Sequence, residues 1–297
     1  MNSVPGLSRQ GEVMLGRLVT LIAVVVFNIP VVAGEIYVDS SMGRDSYDGA
    51  SVESRGANSG PVATLGRAVQ LAQFSDVIVL RNTGIPYYGS ISLTGERHSG
   101  TRYHPFVIEG NGATISGLRA VPPGSWQQVR PKLWKLTLTR KGYYRLLRNG
   151  RPLPEYVPEN GLEPLSNLKP GHWVAWRGSL YFRQDGDNSP EDQAFAFAAD
   201  QTGISLHQVS NVVISNVVLQ HFRFDGLHAQ GLCDGIILDN VTAIENGRAG
   251  VVSSGASRIE LFGGKIAANG RHQLLVINHS FAIPNDCDIE EPATVGK

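Results

Sequence analysis

The feature that most constrains this chain is a repeat of 23 to 24 residues in its last third. The clearest apolar series at that interval is Ile204, Leu227, Val251 and Leu274. Three more series keep the same interval: Val212, Ile236 and Ile259; Ile214, Leu238 and Leu261; and Leu219, Ala243 and Ile266. Within each repeat the apolar residues stand two positions apart, as on one face of a β-strand. Repeats of this length stack on their neighbours, so aligned residues become neighbours in space.

Asparagines recur at the turns of the same repeat. Asn216 aligns with Asn240, and Asn246 aligns with Asn269. Stacked asparagine amides can hydrogen-bond to the layers above and below, as they do in cross-β assemblies. A leucine-rich repeat has a similar period, but its leucine spacing and helical segment are missing here. The pattern therefore predicts coils of parallel β-strands.

The residues before the repeat predict short strands and one helix. Strand patterns occur at 35–39, 76–80, 88–93, 106–110 and 113–117. Between them, residues 63–72 place apolar side chains at helical spacing, and Thr64 can cap the start of the helix. Residues 118–200 contain all four tryptophans and most of the prolines, which predicts an inserted β subdomain.

The first 33 residues have the order of an export signal: Arg17, an apolar run at 18–27, and small or β-branched residues at 31–33. The apolar run through Val32 is about 15 residues long and is broken by Pro30, so it is shorter than the roughly 20 residues that span a bilayer. We expect cleavage after Ala33, no stable membrane span afterwards, and a secreted or periplasmic protein. Translation can start at Met1 or at Met14.

With these residues in hand, the chain resembles the right-handed parallel β-helix superfamily, often called pectin-lyase-like. The segments that carry the resemblance are 37–39, 48–49, 61–65, 76–80, 225–227 and 246–251. The resemblance implies an all-β fold: a right-handed parallel β-helix with an N-terminal cap helix and an inserted β subdomain. It also implies an exported, polysaccharide-active protein. Such motifs specify the fold far better than the chemistry, because one frame carries lyases, hydrolases and non-catalytic proteins.

This interpretation divides the chain into five parts. They are a signal peptide (1–33), the cap and first coils (34–117), the inserted subdomain (118–200), the repeating coils (201–280) and a tail (281–297).

The repeat alignment also predicts which polar residues meet. Stacked coils lie about 4.8 Å apart, and the positions near the Leu227 series hold charged or histidine side chains. We expect one exposed patch that gathers His221, Asp225, Glu245, Arg248, Arg271 and His272. The alternative is that these six residues are ordinary solvent-exposed side chains on one face of a β-helix, without a function in binding or catalysis.

Two chemistries fit this patch. Stacked Arg248 and Arg271 repel by about 1 kcal/mol in a solvated setting. Either Glu245 or a bound uronate carboxylate can relieve this repulsion, and His221 can assist in substrate binding. His272 is then the candidate base of a lyase. In a glycoside hydrolase, Asp225 and Glu245 are candidates for two carboxylates about 5 to 9 Å apart. A β-helix that binds glycan or a surface partner without catalysis is the third hypothesis.

Composition narrows the partners and cofactors. The 26 basic and 26 acidic residues leave no net charge that favours nucleic acid, and we expect a monomer whose partner is a polysaccharide or glycan. Calcium is the one cofactor suggested, because Asp234 and Asp239 offer hard oxygen ligands. The spacing of Cys233 and Cys287 fits no metal site, and their pairing is left open.

We predict that the exported protein begins near Gly34. The charged, apolar and small-residue order of the first 33 positions is the physical reason. Mass spectrometry of protein recovered outside the cytoplasm measures the mature terminus. An intact Met1 or Met14 terminus in that material would contradict cleavage and favour a membrane anchor.

Overall fold

The computed structural model describes residues 33–139, 142–158 and 165–291. Residues 1–32 of the predicted signal peptide and residues 292–297 of the predicted tail lie outside these ranges. The described part is an all-β fold with parallel sheets, as the sequence predicts at that level.

The N-terminal part contains the one α-helix of the described ranges. Its elements are β1 (Glu35–Val38), α1 (Leu65–Leu71), β2 (Val77–Leu80), β3 (Tyr87–Tyr88), β4 (Ile91–Thr94) and β5 (Phe106–Ser116). The helix prediction is confirmed, including its cap: the Thr64 hydroxyl accepts the N–H of Arg67 at 3.1 Å. Leu65 and Ala68 of α1 are buried in the same core as Ile36 of β1.

The described residues between 118 and 198 form antiparallel sheets that are separate from the parallel ones. Their elements are β6 (Leu118–Ala120), β7 (Trp126–Arg130), β8 (Leu133–Leu136), β9 (Leu146–Arg148), β10 (Arg151–Pro152), β11 (Trp173–Trp176), β12 (Ser179–Arg183), the 3₁₀ turn Pro190–Asp192 and β13 (Phe195–Ala198). Two four-stranded sheets run in the orders β10-β9-β13-β6 and β11-β12-β8-β7 among the described residues. Trp126 and Trp173 are buried in a core cluster of this region.

The last third builds two parallel sheets. Its strands are β14 (Thr202–His207), β15 (Ser210–Gln220), β16 (Asp225–Gln230), β17 (Asp234–Asp239), β18 (Thr242–Ile244), β19 (Ala249–Ser253), β20 (Arg258–Phe262), β21 (Lys265–Ala267), β22 (His272–Val276), β23 (Phe281–Asn285) and β24 (Asp288–Ile289). One sheet runs β4-β14-β16-β19-β22, and the other runs β1-β2-β5-β15-β17-β20-β23 with β3, β18, β21 and β24 beside it. Each repeat thus adds strands to both sheets.

The register predicted from the repeat is confirmed. Ile204 pairs with Leu227, Leu227 with Val251, and Val251 with Leu274. The other three apolar series pair in the same way. Ile204, Leu227 and Val251 are fully buried, while Leu274 at the end of the series is half-buried.

The asparagine ladder is confirmed as well. The Asn240 amide donates to the Asn216 side-chain oxygen at 2.9 Å, and the buried Asn246 amide donates to that of Asn269 at 3.0 Å. Asn216 and Asn240 both have positive φ, near 50°, a conformation that asparagine tolerates better than most residues. The asparagines therefore accommodate the backbone conformation of the turn and also provide hydrogen-bond partners for one another.

We predict that Val251→Asp prevents folding, because an unpaired carboxylate in this stacked core costs several kcal/mol. The control is Ile237→Asp, since Ile237 alternates with the buried Ile236 and Leu238 and is half-buried. Circular dichroism and thermal unfolding measure both variants. A cooperative, native-like transition in Val251→Asp would contradict the interior column.

Candidate functional site

A cleft of about 700 Å³ lies where the antiparallel region meets the turns of the repeats. From the antiparallel region it is lined by Gly142, Tyr143, Tyr144, Arg145, Leu146, Pro152, Leu153, Glu155, Val157, Trp173 and Ala175, and from the repeats by Gly247, Gly270 and Arg271. Gly247 allows the two parts to approach, while Gly270 allows two successive repeats to stack closely. A Cβ at Gly247 would lie 2.2 Å from the Arg223 carbonyl oxygen and 3.0 Å from that of Tyr143.

Two aromatic rings and two arginines pack together at Tyr143 and Arg271 of the cleft lining. The Tyr143 and Phe224 rings pack edge to face with their centroids 5.0 Å apart. The Arg271 guanidinium lies 5.1 Å from the Tyr143 centroid, and that of Arg248 lies 5.5 Å from the Phe224 centroid. Aromatic faces beside charged groups suit the apolar faces and hydroxyls of sugar rings.

Arg145 connects the two parts of the cleft. Its Nη2 donates to the carbonyl oxygens of Ala268 at 2.9 Å and Asn246 at 3.5 Å. Desolvation lowers the pKa of Arg145, while the charges of Glu245 and Glu155 act in the opposite direction. One half-buried cation therefore interacts with a carboxylate from each part.

Glu155 is the carboxyl of the antiparallel region. Its side chain reaches solvent through the cleft, yet the surrounding protein removes enough water that desolvation raises its pKa. Arg145 and Arg271 oppose that shift and do not overcome it. A carboxyl whose pKa is raised beside a cleft is a candidate general acid.

Glu245 is the carboxyl of the repeat turns, and it pairs with His221. The His221 Nε2 lies 2.6 Å from a Glu245 carboxylate oxygen. Desolvation lowers the pKa of His221, so the neutral ring donates its Nε2 proton to Glu245. The Nδ1 atom is buried and has no hydrogen-bond partner among the described residues. His221 thus fixes the orientation of Glu245.

The expectation of one exposed patch is wrong for two of its six members. Asp225 is fully buried, and His221 is only 7% exposed. Asp225 accepts two hydrogen bonds from Arg248, at 2.8 Å from Nε and 2.5 Å from Nη2. The carboxylate that compensates the Arg248 charge is therefore Asp225, not Glu245 or a substrate, and its hydrogen bonds raise the pKa of Arg248. Arg248 therefore covers the Asp225 carboxylate, which is not accessible to a substrate.

The strand and turn pairing around Asp225, Arg248, Arg271 and His272 follows the repeat alignment. Asp225 pairs with Ala249, and Ala249 with His272, on adjacent strands. The Arg271 N–H donates to the Arg248 carbonyl oxygen at 3.0 Å. Arg271 and His272 are exposed, and Arg271 lines the cleft.

A second histidine, His228, lies close to Asp225. It lies within β16, its side chain is 19% exposed, and its Nδ1 is 3.7 Å from an Asp225 carboxylate oxygen. Burial lowers its pKa.

Sequence reasoning missed Tyr143, Arg145 and Glu155. They lie outside the repeat, so no alignment places them near the turns. The one local signal is the concentration of aromatic and basic residues in 143–148, which also fits an ordinary β-hairpin.

The suggested calcium site is not formed. Asp234 and Asp239 stand at opposite ends of β17, about 16 Å apart at the strand rise per residue, so they cannot share an ion. Across the described ranges, no group of three or more His, Cys, Asp or Glu residues could hold a metal. Cys233 and Cys287 are both free thiols. No described helix is long and apolar enough to cross a bilayer.

Comparison with known proteins yields likeness in structure only. No family model and no curated protein sequence matches the chain. A structure described as the complex of XylC with xylose matches at 12% identity with a TM-score of 0.51, over 80% of this chain and 54% of XylC. A structure described as a glycoside hydrolase matches at 14% identity with a TM-score of 0.55, over 82% of this chain and 67% of the other. At these identities the likeness shows the fold, and the chain spans about half of the length of XylC.

We predict that Arg248→Ala destabilises the fold by about 3 kcal/mol, because it leaves the buried Asp225 carboxylate without its partner. Arg271→Ala, one repeat away and exposed, is the matched control and should unfold like the parent. Urea unfolding of both variants measures the difference. Equal stabilities would mean that the Asp225–Arg248 pair is not required by the fold.

Proposed function

We propose that this chain is an exported glycoside hydrolase built on a right-handed parallel β-helix, with its active site in the cleft around Arg145. The observation that carries the proposal is that two carboxylates in different environments both act on the charge of Arg145: Glu155, which lines the cleft, and Glu245, which pairs with His221 in the repeat turns. Carboxyl groups whose environments differ in this way divide the acid and base roles of a hydrolase.

Glu155 is the proposed general acid. Its raised pKa favours the protonated form, which would protonate the glycosidic oxygen so that the leaving sugar departs as a neutral alcohol. Arg145 and Arg271 then stabilise the carboxylate that forms.

Glu245 is the proposed second carboxylate. Held by His221 at 2.6 Å, it either attacks the anomeric carbon or takes a proton from the attacking water. The separation between the two carboxyl groups distinguishes these routes: about 5 Å for retention and 6.5 Å or more for inversion of configuration.

The fold supports this proposal. Each repeat passes through parallel strands of both sheets, and crossovers between parallel strands are right-handed in nearly all proteins. One of the similar structures is described as a glycoside hydrolase and another contains xylose. The Tyr143 and Phe224 rings offer a surface for sugar stacking. Export follows from the order of residues in the first 33 positions.

A lyase is less well supported than the hydrolase. The lyase hypothesis needs two arginines to neutralise a uronate carboxylate, but Arg248 is engaged by Asp225. Arg271 alone remains open in the cleft, with His272 beside it.

We predict that Glu155→Gln and Glu245→Gln each lower glycan hydrolysis by at least about 100-fold, the usual scale of a lost acid or base. The alkaline limb of the parent's kcat/KM profile should lie above the ordinary glutamate range and disappear in Glu155→Gln, because the acid acts only while protonated. Release of reducing ends from neutral and acidic polysaccharides measures turnover.

Glu260→Gln is the matched control, since Glu260 lies on β20 away from the cleft lining. Products that absorb as unsaturated ends, and that depend on His272, would favour a lyase instead. Glycan binding without turnover in the parent would favour the non-catalytic alternative.

A further inference from the structure

Beside the cleft, an aspartate, a histidine and a serine lie in series on the five-stranded parallel sheet. The His228 Nδ1 is 3.7 Å from an Asp225 carboxylate oxygen, and its Nε2 is 2.9 Å from the Ser254 hydroxyl. His228 lies in β16, and Ser254 directly follows β19, the next strand of the sheet. This is the connectivity by which a carboxylate orients an imidazole that activates a serine.

The protonation of His228 suits that role. Burial lowers its pKa, so the ring is neutral. The Asp225 charge favours the proton on the facing Nδ1, so the Nε2 lone pair competes with the Ala229 carbonyl oxygen for the one Ser254 proton. At 3.7 Å the carboxylate acts through its charge, and such contacts are often longer without substrate than with it. Arg248 holds Asp225 in place through two hydrogen bonds.

A donor for a developing oxyanion follows the serine. The Gly255 N–H has no acceptor among the described residues, and Gly255 adopts a φ of 74°. The backbone N–H of the residue after the nucleophile serves as an oxyanion donor in serine hydrolases of other folds. Ser254 itself is 7% exposed, and its hydroxyl also lies 3.2 Å from the Ala229 carbonyl oxygen.

We propose that Ser254, His228 and Asp225 form an esterase site that removes O-acyl groups from sugars. His228 takes the Ser254 proton as Oγ bonds to the ester carbonyl carbon. The carbonyl–alkoxy bond then breaks, and His228 returns the proton to the departing sugar hydroxyl. Water attacks the acyl-serine with the same base, and this step releases a carboxylic acid and restores Ser254.

The sugar part of the substrate rests on the proposed function. Arg248 connects the two sites, because it binds Asp225 and also lies over the Phe224 ring, which packs on Tyr143 of the cleft. The cleft and Ser254 are thus connected through Arg248, Asp225 and His228. The ester chemistry stands without this link.

Two measurements test the site. The parent protein is treated with a fluorophosphonate, and the labelled residue is identified by peptide mass spectrometry. Hydrolysis of p-nitrophenyl acetate, and of an O-acetylated polysaccharide, is then compared in Ser254→Ala, His228→Ala and the control Ser205→Ala. Ser205 pairs with His228 on the adjacent strand and is half-exposed, so it reports on the reactivity of any neighbouring serine.

We expect the label on Ser254, and at least a 100-fold loss of p-nitrophenyl acetate hydrolysis in Ser254→Ala and His228→Ala but not in Ser205→Ala. No label on the parent, a label on another residue, or an unchanged rate in Ser254→Ala would overturn the proposal. The label on the parent decides the question even if a variant fails to fold. Cleavage of glycan chains should persist in Ser254→Ala, so failure of the hydrolase and failure of the esterase are distinguishable.

Discussion

The parallel register between successive repeats is the constraint on which the rest of the structure depends. Each repeat must place Leu227, Val251 and their equivalents over one another, because a shift by one residue turns every side chain to the opposite face. Burial of an aliphatic side chain contributes about 1.5 to 3 kcal/mol, and such a shift would expose the whole column. The register is therefore fixed by many residues at once, and the polar turns must fit it.

The buried polar groups follow from that register. Asn246 and Asn269 lie one repeat apart, and the Asn246 amide also donates to the Leu219 carbonyl oxygen at 3.2 Å. A buried amide without partners costs about 1 to 3 kcal/mol, and the ladder removes that cost at each layer. The same stacking brings Arg248 to Asp225 one repeat below it. Arg248 and Asp225, which the alignment placed in an exposed substrate patch, thus form an ion pair within the fold.

The cleft depends on a second contact, between the antiparallel region and the turns of the repeats. Arg145 crosses this contact and donates to carbonyl oxygens 101 and 123 residues away along the chain. The charges of Glu155 and Glu245 both act on Arg145, and Tyr143 packs on Phe224 of the repeats. The proposed hydrolase site therefore needs both parts, while the Asp225–His228–Ser254 series lies within the repeats alone.

The sequence by itself determined the all-β character, the strand register from Ile204 to Leu274, the asparagine ladder and the capped helix at Thr64. These features depend on spacing and on near neighbours in the chain, which a period of 23 to 24 residues makes visible. The tertiary structure alone decided that Asp225 is buried against Arg248, that His221 orients Glu245, and that Arg145 and Glu155 meet the repeat turns. Aligning the repeats with one another shows only which positions lie next to each other in successive coils. Which side chain turns inward, and which distant segment covers a turn, depends on packing between parts that share no period.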